Sequence, residues 1–412
     1  MKRDSFQPVT PGIVLVPEED IDSRTDAELI ETLKNPVPVR HERNVWAFWN
    51  TGWDAMKPWT QRNVLGWIRR QGPSWDVRVL DMVPGSVAHV QNFVPSEYLP
   101  DCFKNNTMDG PTKGPHASDL ARMPLLFLYG GVWLDVGSIL IRRFDDIFWR
   151  NLEDPGSPFE MGISLFQSRK YIGQCLTGFI AARKGNAFIE RWMKVSFEIW
   201  KDRTNCFGLH EHPLLKPLGL IVPPDWQEND NPRTIDMGGT GDAFDLGILT
   251  DYLAFNMAYE RVRLLVDEST GWDGPTYYRT HVHLIDTIDE LWKSHEMMLQ
   301  DEVFPLLSLP FKPNSPDPKQ KAAADYVGYI LANCSIAKHS QGHWRPGNRV
   351  PLAMSWTMPE NEGADIEEGT WSEYMRWASL FCRQTRFPDQ CIPNLQLPQE
   401  KDEIIRGALL QG

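Results

Sequence analysis

The chain has 412 residues, 42% of them hydrophobic, and a formal net charge of -13. That length allows one large domain or two to three smaller ones, with ample apolar material for a core. A chain this acidic is a poor candidate for binding nucleic acid or an anionic membrane, which needs clustered Lys and Arg, so neither is an expected partner; a local basic pocket for a phosphorylated small molecule stays compatible.

Residues 1–43 are Pro-rich and charged, and read as an arm or lid with one helix-like piece, DAELIETLKN. The apolar run GIVLV inside it is too short for a signal or anchor, and no run of 18 apolar residues occurs, so a cytoplasmic protein without a membrane span is expected. VWAFWN (45–50) reads as a strand, PWTQRNVLGWIRRQG (58–72) as a helix opened by Pro and closed by Gly, and WDVRVLDM (75–82) as a second strand. SVAHVQNFV suggests a short helix. SDLARMPLLFLYGG predicts a helix N-capped by Ser118, kinked at Pro124 and stopped by Gly130-Gly131, and VWLDVGSILI predicts one continuous strand. Strands alternating with helices at this spacing predict an α/β fold with a largely parallel sheet covered by helices.

Farther on, ISLF and LTGFIAAR look like strands and NAFIERWMKVSFEIWK like an amphipathic helix. A Pro/Asp/Asn/Gly-rich stretch (222–242) predicts a long loop, DLGILTDYLAFNMAYERV a helix, and YYRTHVHLID a half-exposed strand. LPFKPNSPDPKQ (309–320) suggests a linker, followed by the helix AAADYVGYILANC and, at the end, a helical tail. The expected organisation is an arm (1–43), a core (44–308) and a C-terminal segment (309–412).

Ligands of open α/β sheets bind at the carboxyl ends of the strands, where three features converge. The first strand ends in Trp49-Asn50, with Trp53 beyond. Asp119 and Arg122 stand i,i+3 on one helix face. Asp135 is a lone carboxylate in an apolar run, and a buried charge must be paired, metal-bound or neutralised. Two carboxylates, a guanidinium and an indole suit a nucleotide-sugar: stacking for the base, a carboxylate for ribose hydroxyls or a metal, Arg for a sugar hydroxyl or phosphate. Singly, each of these residues has an ordinary structural explanation; their joint spacing favours a site.

The block SDLARMPLLFLYGGVWLDVGSIL resembles the S-D-x-x-R…Y-G-G-x-Y-x-D-x-D block of DXD-type glycosyltransferases, above all the capsular-polysaccharide-synthesis group of fungi and bacteria. That group is related to fungal α-mannosyltransferases and, more distantly, to the glucosylating toxins of clostridia. VWAFWNTGWDAMKPWTQRNVLGWIRRQGPSWDVRVLD resembles the group's opening strand and helix, and KHSQGHW…PLAMSW (338–356) a late segment of its fungal members. The resemblance implies a GT-A fold, a nucleoside-diphosphate-sugar donor, a divalent cation (Mn²⁺ or Mg²⁺) and retention of anomeric configuration. By position it implies Trp49 stacked on the base, Asp119 and Arg122 on the sugar, and Asp135 on ribose and metal, with Trp133 in place of the family's tyrosine. The second aspartate of the motif is Gly137 here. Substitute metal ligands would be Ser138, Asp145, Asp146, His339 or His343, while Lys338 and Ser340 would neutralise the leaving diphosphate.

These readings lead to a hexosyltransferase, with UDP-glucose as the expected donor and a soluble small molecule such as a terpenoid or polyketide alcohol as the acceptor. The alternatives are a nucleotide-sugar-binding protein with weak or no catalysis, and a metal-dependent hydrolase. His281 and His283, and His210 and His212, read as structural rather than as metal pairs. Trp46 and Trp133 read as core. Asp236, Asp242 and Asp273 stay open as catalytic carboxylates. Six scattered cysteines without CxxC spacing fit free thiols in a reducing compartment.

Overall fold

The computed structural model describes residues 2–166, 175–221, 234–236, 243–298, 300–339, 350–397 and 404–412. The arm contributes strand β1 (Ile13–Leu15) and helix α1 (Asp26–Lys34), the latter opened by a capping box between Thr25 and Glu28. Strand β2 (Asn44–Phe48) is buried throughout, as its apolar run predicts. Helix α2 (Pro58–Gln71) begins on its proline and stops at Gly72, whose φ of 66° is left-handed. Strand β3 (Asp76–Leu80) follows. SVAHVQNFV forms only a short 3₁₀ turn, Val90–Asn92.

Helix α3 (Lys113–Tyr129) starts earlier than its sequence signals suggest. Ser118 is therefore interior to the helix and caps nothing, and Pro124 lies within it. Gly130 ends the helix as predicted, with φ 69°. The expected single strand VWLDVGSILI is two: β4 (Gly131–Leu134) and β5 (Ser138–Leu140), separated by Asp135-Val136-Gly137. Strands β6 (Met161–Leu165) and β7 (Cys175–Ala182) and helix α4 (Ala187–Trp200) match the sequence. The next helix is broken at Leu253 into α5 (Leu246–Tyr252) and α6 (Ala254–Leu264). YYRTHVHLID is helical up to His281 and becomes a strand, β8 (Val282–Asp286), only afterwards. Then come α7 (Pro318–Asn333), β9 (Ile336–Lys338), α8 (Trp371–Phe381) and β10 (Cys382–Gln384). Past Phe381 the described tail is extended rather than helical.

The central sheet has six strands in the order β8-β6-β7-β4-β2-β3. Every pairing is parallel except those made by β7, so one antiparallel strand interrupts an otherwise parallel sheet. This is the α/β, mostly parallel architecture expected. Alternate residues of β2 and β4 feed opposite cores: Trp46 and Trp133 face α3, α4 and α6, while Val45, Ala47, Val132 and Leu134 face α2. A second, two-stranded sheet pairs β5 with β9 antiparallel, setting Lys338 opposite Ser138. This pairing brings the late segment to the end of β4. A third core gathers α7 and α8 with residues of the arm. Phe311 packs edge-on against Trp371 in that core, so the 309–320 stretch is anchored there.

Candidate active site

Asp135 follows the last residue of β4, at the carboxyl edge of the sheet. Strand alternation places it on the same face as Trp133, and the Trp133 indole N–H donates to its Oδ1 at 3.0 Å. Trp133 itself is 1% exposed, a core residue as predicted, but its polar edge belongs to the site. Arg122 Nη2 donates to the same oxygen at 3.4 Å, and Lys338 Nζ donates to Oδ2 at 2.9 Å. The Asp135 side chain remains 31% exposed, reachable from solvent. Although burial pushes the carboxyl upward, Lys338 and Arg122 hold it well below the usual carboxylate range. The lone aspartate of the apolar run is charged and paired.

Arg122 is nearly buried and held on all sides. Its Nη1 donates to Thr177 O at 2.5 Å, its Nη2 lies 3.2 Å from Asp119 Oδ1, and its guanidinium lies over the rings of Trp133 and Phe255. Asp119 is therefore a mid-helix partner of Arg122, not a helix-start carboxylate. It also faces His116, whose Nδ1 is 3.6 Å away. Burial pulls the His116 imidazole down, but hydrogen bonds to Asp119 and Cys206 outweigh it and lift it to about 9. Tyr252, at the end of α5, is pushed up to about 12 by burial and by the charges of Asp119 and Asp135.

Trp49 and Asn50 follow β2 at the same sheet edge, because β2 and β4 pair parallel with Trp46 opposite Trp133. Both are half-buried, and Trp49 rests on the α2-side core. Trp53 opens a 3₁₀ turn, and its carbonyl accepts from Gln61 Nε2 at 2.9 Å.

The expected metal ligands do not converge as a set. Ser138 is buried, and His339 is buried against Trp356 with its backbone N–H donating to Gly137 O at 2.7 Å; among the described residues neither the Ser138 hydroxyl nor His339 Nε2 has a partner. Burial keeps His339 neutral, well below the usual imidazole range. Asp145 and Asp146 instead pair with Arg43 and Arg150. His343 and Ser340 lie outside the described residues, as do Asp242 and the side chain of Asp236. Asp273 caps a helix by accepting from Thr276 N. Among the described residues no three His, Cys, Asp or Glu side chains group around a metal position. Among the described residues Asp135 is the one candidate carboxylate that would hold a divalent cation here, where the cation would supply positive charge against a diphosphate.

The histidine pairs are structural. His283 Nε2 lies 2.8 Å from Ile392 O, His281 stacks on Tyr277, His210 pairs with Asp251 at 2.7 Å, and His212 Nδ1 accepts from Leu214 N.

Two glycines shape the site. A Cβ on Gly178 would lie 2.5 Å from Asp135 Oδ2, so this position in β7 must stay bare for the carboxylate to lie across it. Gly178 was legible as a glycine inside a strand-like run, a mark of close approach. A Cβ on Gly137 would lie 2.3 Å from His339 O. The space that a side chain at Gly137 would need is filled by the backbone of His339, just past β9.

The model of a family described as capsular polysaccharide synthesis protein matches residues 17–208, a span that includes Trp49, Asp119, Arg122 and Asp135 but not Lys338. The chain is 39% identical to the O-glycosyltransferase braB of Annulohypoxylon truncatum, over 98% of this chain and 94% of that one. It is 38% identical to the glycosyltransferase afumC of Aspergillus fumigatus, over 96% and 99% of the two chains. The O-glycosyltransferase PaGT of Phomopsis amygdali is 35% identical over 91% of each. No described helix is long and apolar enough to cross a membrane. Near-full-length similarity at these identities, together with the family match, makes this chain a glycosyltransferase that belongs to the capsular polysaccharide synthesis family.

Proposed function

We propose that the protein moves a sugar from a nucleoside-diphosphate-sugar, UDP-glucose, to a hydroxyl of a small-molecule acceptor of terpenoid or polyketide type, with retention of configuration. The observation that carries this is the pairing of Asp135 with Lys338 and Arg122 at the open edge of the sheet. Charges of both signs stand there, preorganised and partly shielded from water, where a diphosphate and a ribose need them. The O-glycosyltransferase names of two relatives support a hydroxyl acceptor. Six free cysteines support a reducing, cytoplasmic setting.

In this mechanism Trp49 stacks on the base, and Asp119 and Arg122 hold the sugar by hydrogen bonds to its hydroxyls. Asp135 stays ionised and accepts from ribose. Lys338 neutralises the negative charge that grows on the leaving diphosphate. A divalent cation shared by Asp135 and the diphosphate would add to that neutralisation. The acceptor hydroxyl attacks the face from which the diphosphate departs, and its proton passes to a phosphate oxygen.

Calorimetric titration with UDP-glucose, GDP-mannose and UDP-N-acetylglucosamine, each with Mn²⁺ and with EDTA, tests the proposal on wild type and Asp135→Asn. We expect UDP-glucose to bind at least about tenfold more tightly with Mn²⁺, and the variant to lose binding. Binding of GDP-mannose alone would replace the donor. No binding of any nucleotide-sugar would remove the donor site.

A further inference from the structure

A cavity of about 860 Å³ lies between α2, the chain following β5, α8, and β10 with its continuation to Asp389. None of Trp49, Asp119, Arg122, Asp135 or Lys338 lines it, so it is separate from the site above. Its lining holds eleven arginines and five aspartates, with no lysine or glutamate. This is an unusual concentration in a chain where 55 acidic residues outnumber 42 basic ones.

Some of these arginines are neutralised. Arg24, Arg69 and Arg150 pair with lining aspartates, Arg62 and Arg376 with Asp365, and Arg386 with Glu290. Four have no carboxylate within ion-pair distance among the described residues: Arg70, Arg142, Arg143 and Arg383. Arg70 is 8% exposed; it donates to the Ser379 carbonyl, and its Nε is buried without a partner. Arg142 is 6% exposed and reaches only neutral oxygens, those of Gln384, Arg386 and Phe387. Burial pulls the Arg70 guanidinium down to about 10, and neighbouring Arg143 adds to that. Arg143 and Arg383 are exposed and guard the approach.

Asp146 and Glu290 act on the buried Arg70 and Arg142 only from beyond ion-pair distance; a buried cation without a direct ionic partner is costly, and the cost falls when an anion enters. We propose that this cavity is a second ligand site, built for a small oligophosphate anion. Planar guanidinium forks bind phosphate oxygens in pairs, and a lining whose cations are all arginine is the composition that such recognition favours over lysine. The unpaired forks come from three segments, the end of α2, the chain after β5, and β10. They therefore approach from several directions, which suits tetrahedrally disposed oxygens better than a flat carboxylate. Ile139, Leu380 and Phe381 complete the wall.

The test is titration of inorganic pyrophosphate and tripolyphosphate, with citrate as the carboxylate comparison, at constant ionic strength. The proteins are wild type, Arg143→Ala/Arg383→Ala, Arg70→Gln and Lys338→Met. We expect submillimolar pyrophosphate binding by wild type and Lys338→Met, weakened about tenfold or more in the two arginine variants, with citrate weaker throughout. Arg143 and Arg383 are exposed, so the double variant folds and decides the matter even if Arg70→Gln does not. Pyrophosphate lost in Lys338→Met but unchanged in the double variant would place the anion on the donor site and overturn the proposal. So would tighter binding of citrate, or no binding up to about 10 mM. None of these outcomes depends on which donor sugar the enzyme uses.

Discussion

Asp135 keeps its charge because two cations and an indole N–H face it, and it has room because Gly178 has no side chain. Replacing Gly178 by Ala puts a methyl where the carboxylate lies and turns Asp135 away from Lys338. The φ at this position is not left-handed, so the backbone tolerates alanine. Displacing a catalytic group by about 1 Å costs on the order of a hundredfold. Gly178→Ala should therefore lose about 10- to 100-fold in kcat/KM while its melting temperature stays within a few degrees of wild type. Steady-state kinetics beside a thermal melt checks this, and unchanged kcat/KM would show that the carboxylate does not need its present place. His116 makes a second residue-scale claim. Its proton affinity is raised in the folded state, to about 9, so its contribution to stability is full below the unfolded value near 6.5 and is lost as pH rises through 9. Wild-type melting temperature should fall by a few degrees between pH 7 and pH 9, and His116→Gln should give a flatter profile over that window. Parallel profiles would refute the role. The Asp119–Arg122 spacing was legible in sequence because helical i,i+3 geometry is local. The contact of His116 with Cys206, which joins distant parts of the chain, was not.

At the scale of elements, the sequence hid a break. LDVGSILI reads as one strand because Leu134 before the gap, Val136 within it, and Ile139, Leu140 and Ile141 after it keep the run apolar. The chain nevertheless leaves the main sheet at Asp135 and enters a second one at Ser138. The reason is a partner from far along the chain: Ile336–Lys338 pairs with Ser138–Leu140 antiparallel, and no local pattern announces that. Parallel strands and helices with Pro and Gly at their ends were legible because their signals are local. The small sheet was not, although it delivers Lys338. It also accounts for the departure from the two-aspartate motif. With His339 O 2.3 Å from where a Cβ would sit, Gly137→Asp cannot rebuild a metal ligand without parting β5 from β9. Such overpacking costs about 1–3 kcal/mol. The variant should melt several degrees lower, lose activity, and bind Mn²⁺ no more tightly than wild type. Tighter Mn²⁺ binding with retained activity, measured by calorimetry and turnover, would show that the strands yield and that the position is an open ligand site.

Over the whole molecule, the first residues of the arm pack away from the sheet edge that carries Asp135. Ile13–Leu15 adds to Cys382–Gln384 as an antiparallel strand, and the Trp377 indole donates to Arg3 O at 2.9 Å. Phe6 sits among Phe311, Tyr374 and Trp377, with ring centroids 5.1 to 5.6 Å away. Val9 N donates to the Tyr374 hydroxyl at 3.0 Å, and Ile13 is 7% exposed. All these partners belong to the third core or to the strand that follows it, not to the sheet edge of Asp135. An arm so placed stabilises the α7–α8 region through a half-buried Phe6 and a buried Ile13. Fully burying such side chains is worth about 1.5–3 kcal/mol each, and a half-buried Phe6 with a buried Ile13 supplies roughly that together. Deleting residues 2–16 should therefore lower the melting temperature by more than about 5 °C while the affinity for the donor, measured on folded protein at low temperature, changes by less than about twofold. A deletion that left the melt unchanged but altered the Michaelis constant for donor or acceptor would make the arm a gate to the active site, and would require it to leave the Phe311–Trp377 cluster during turnover.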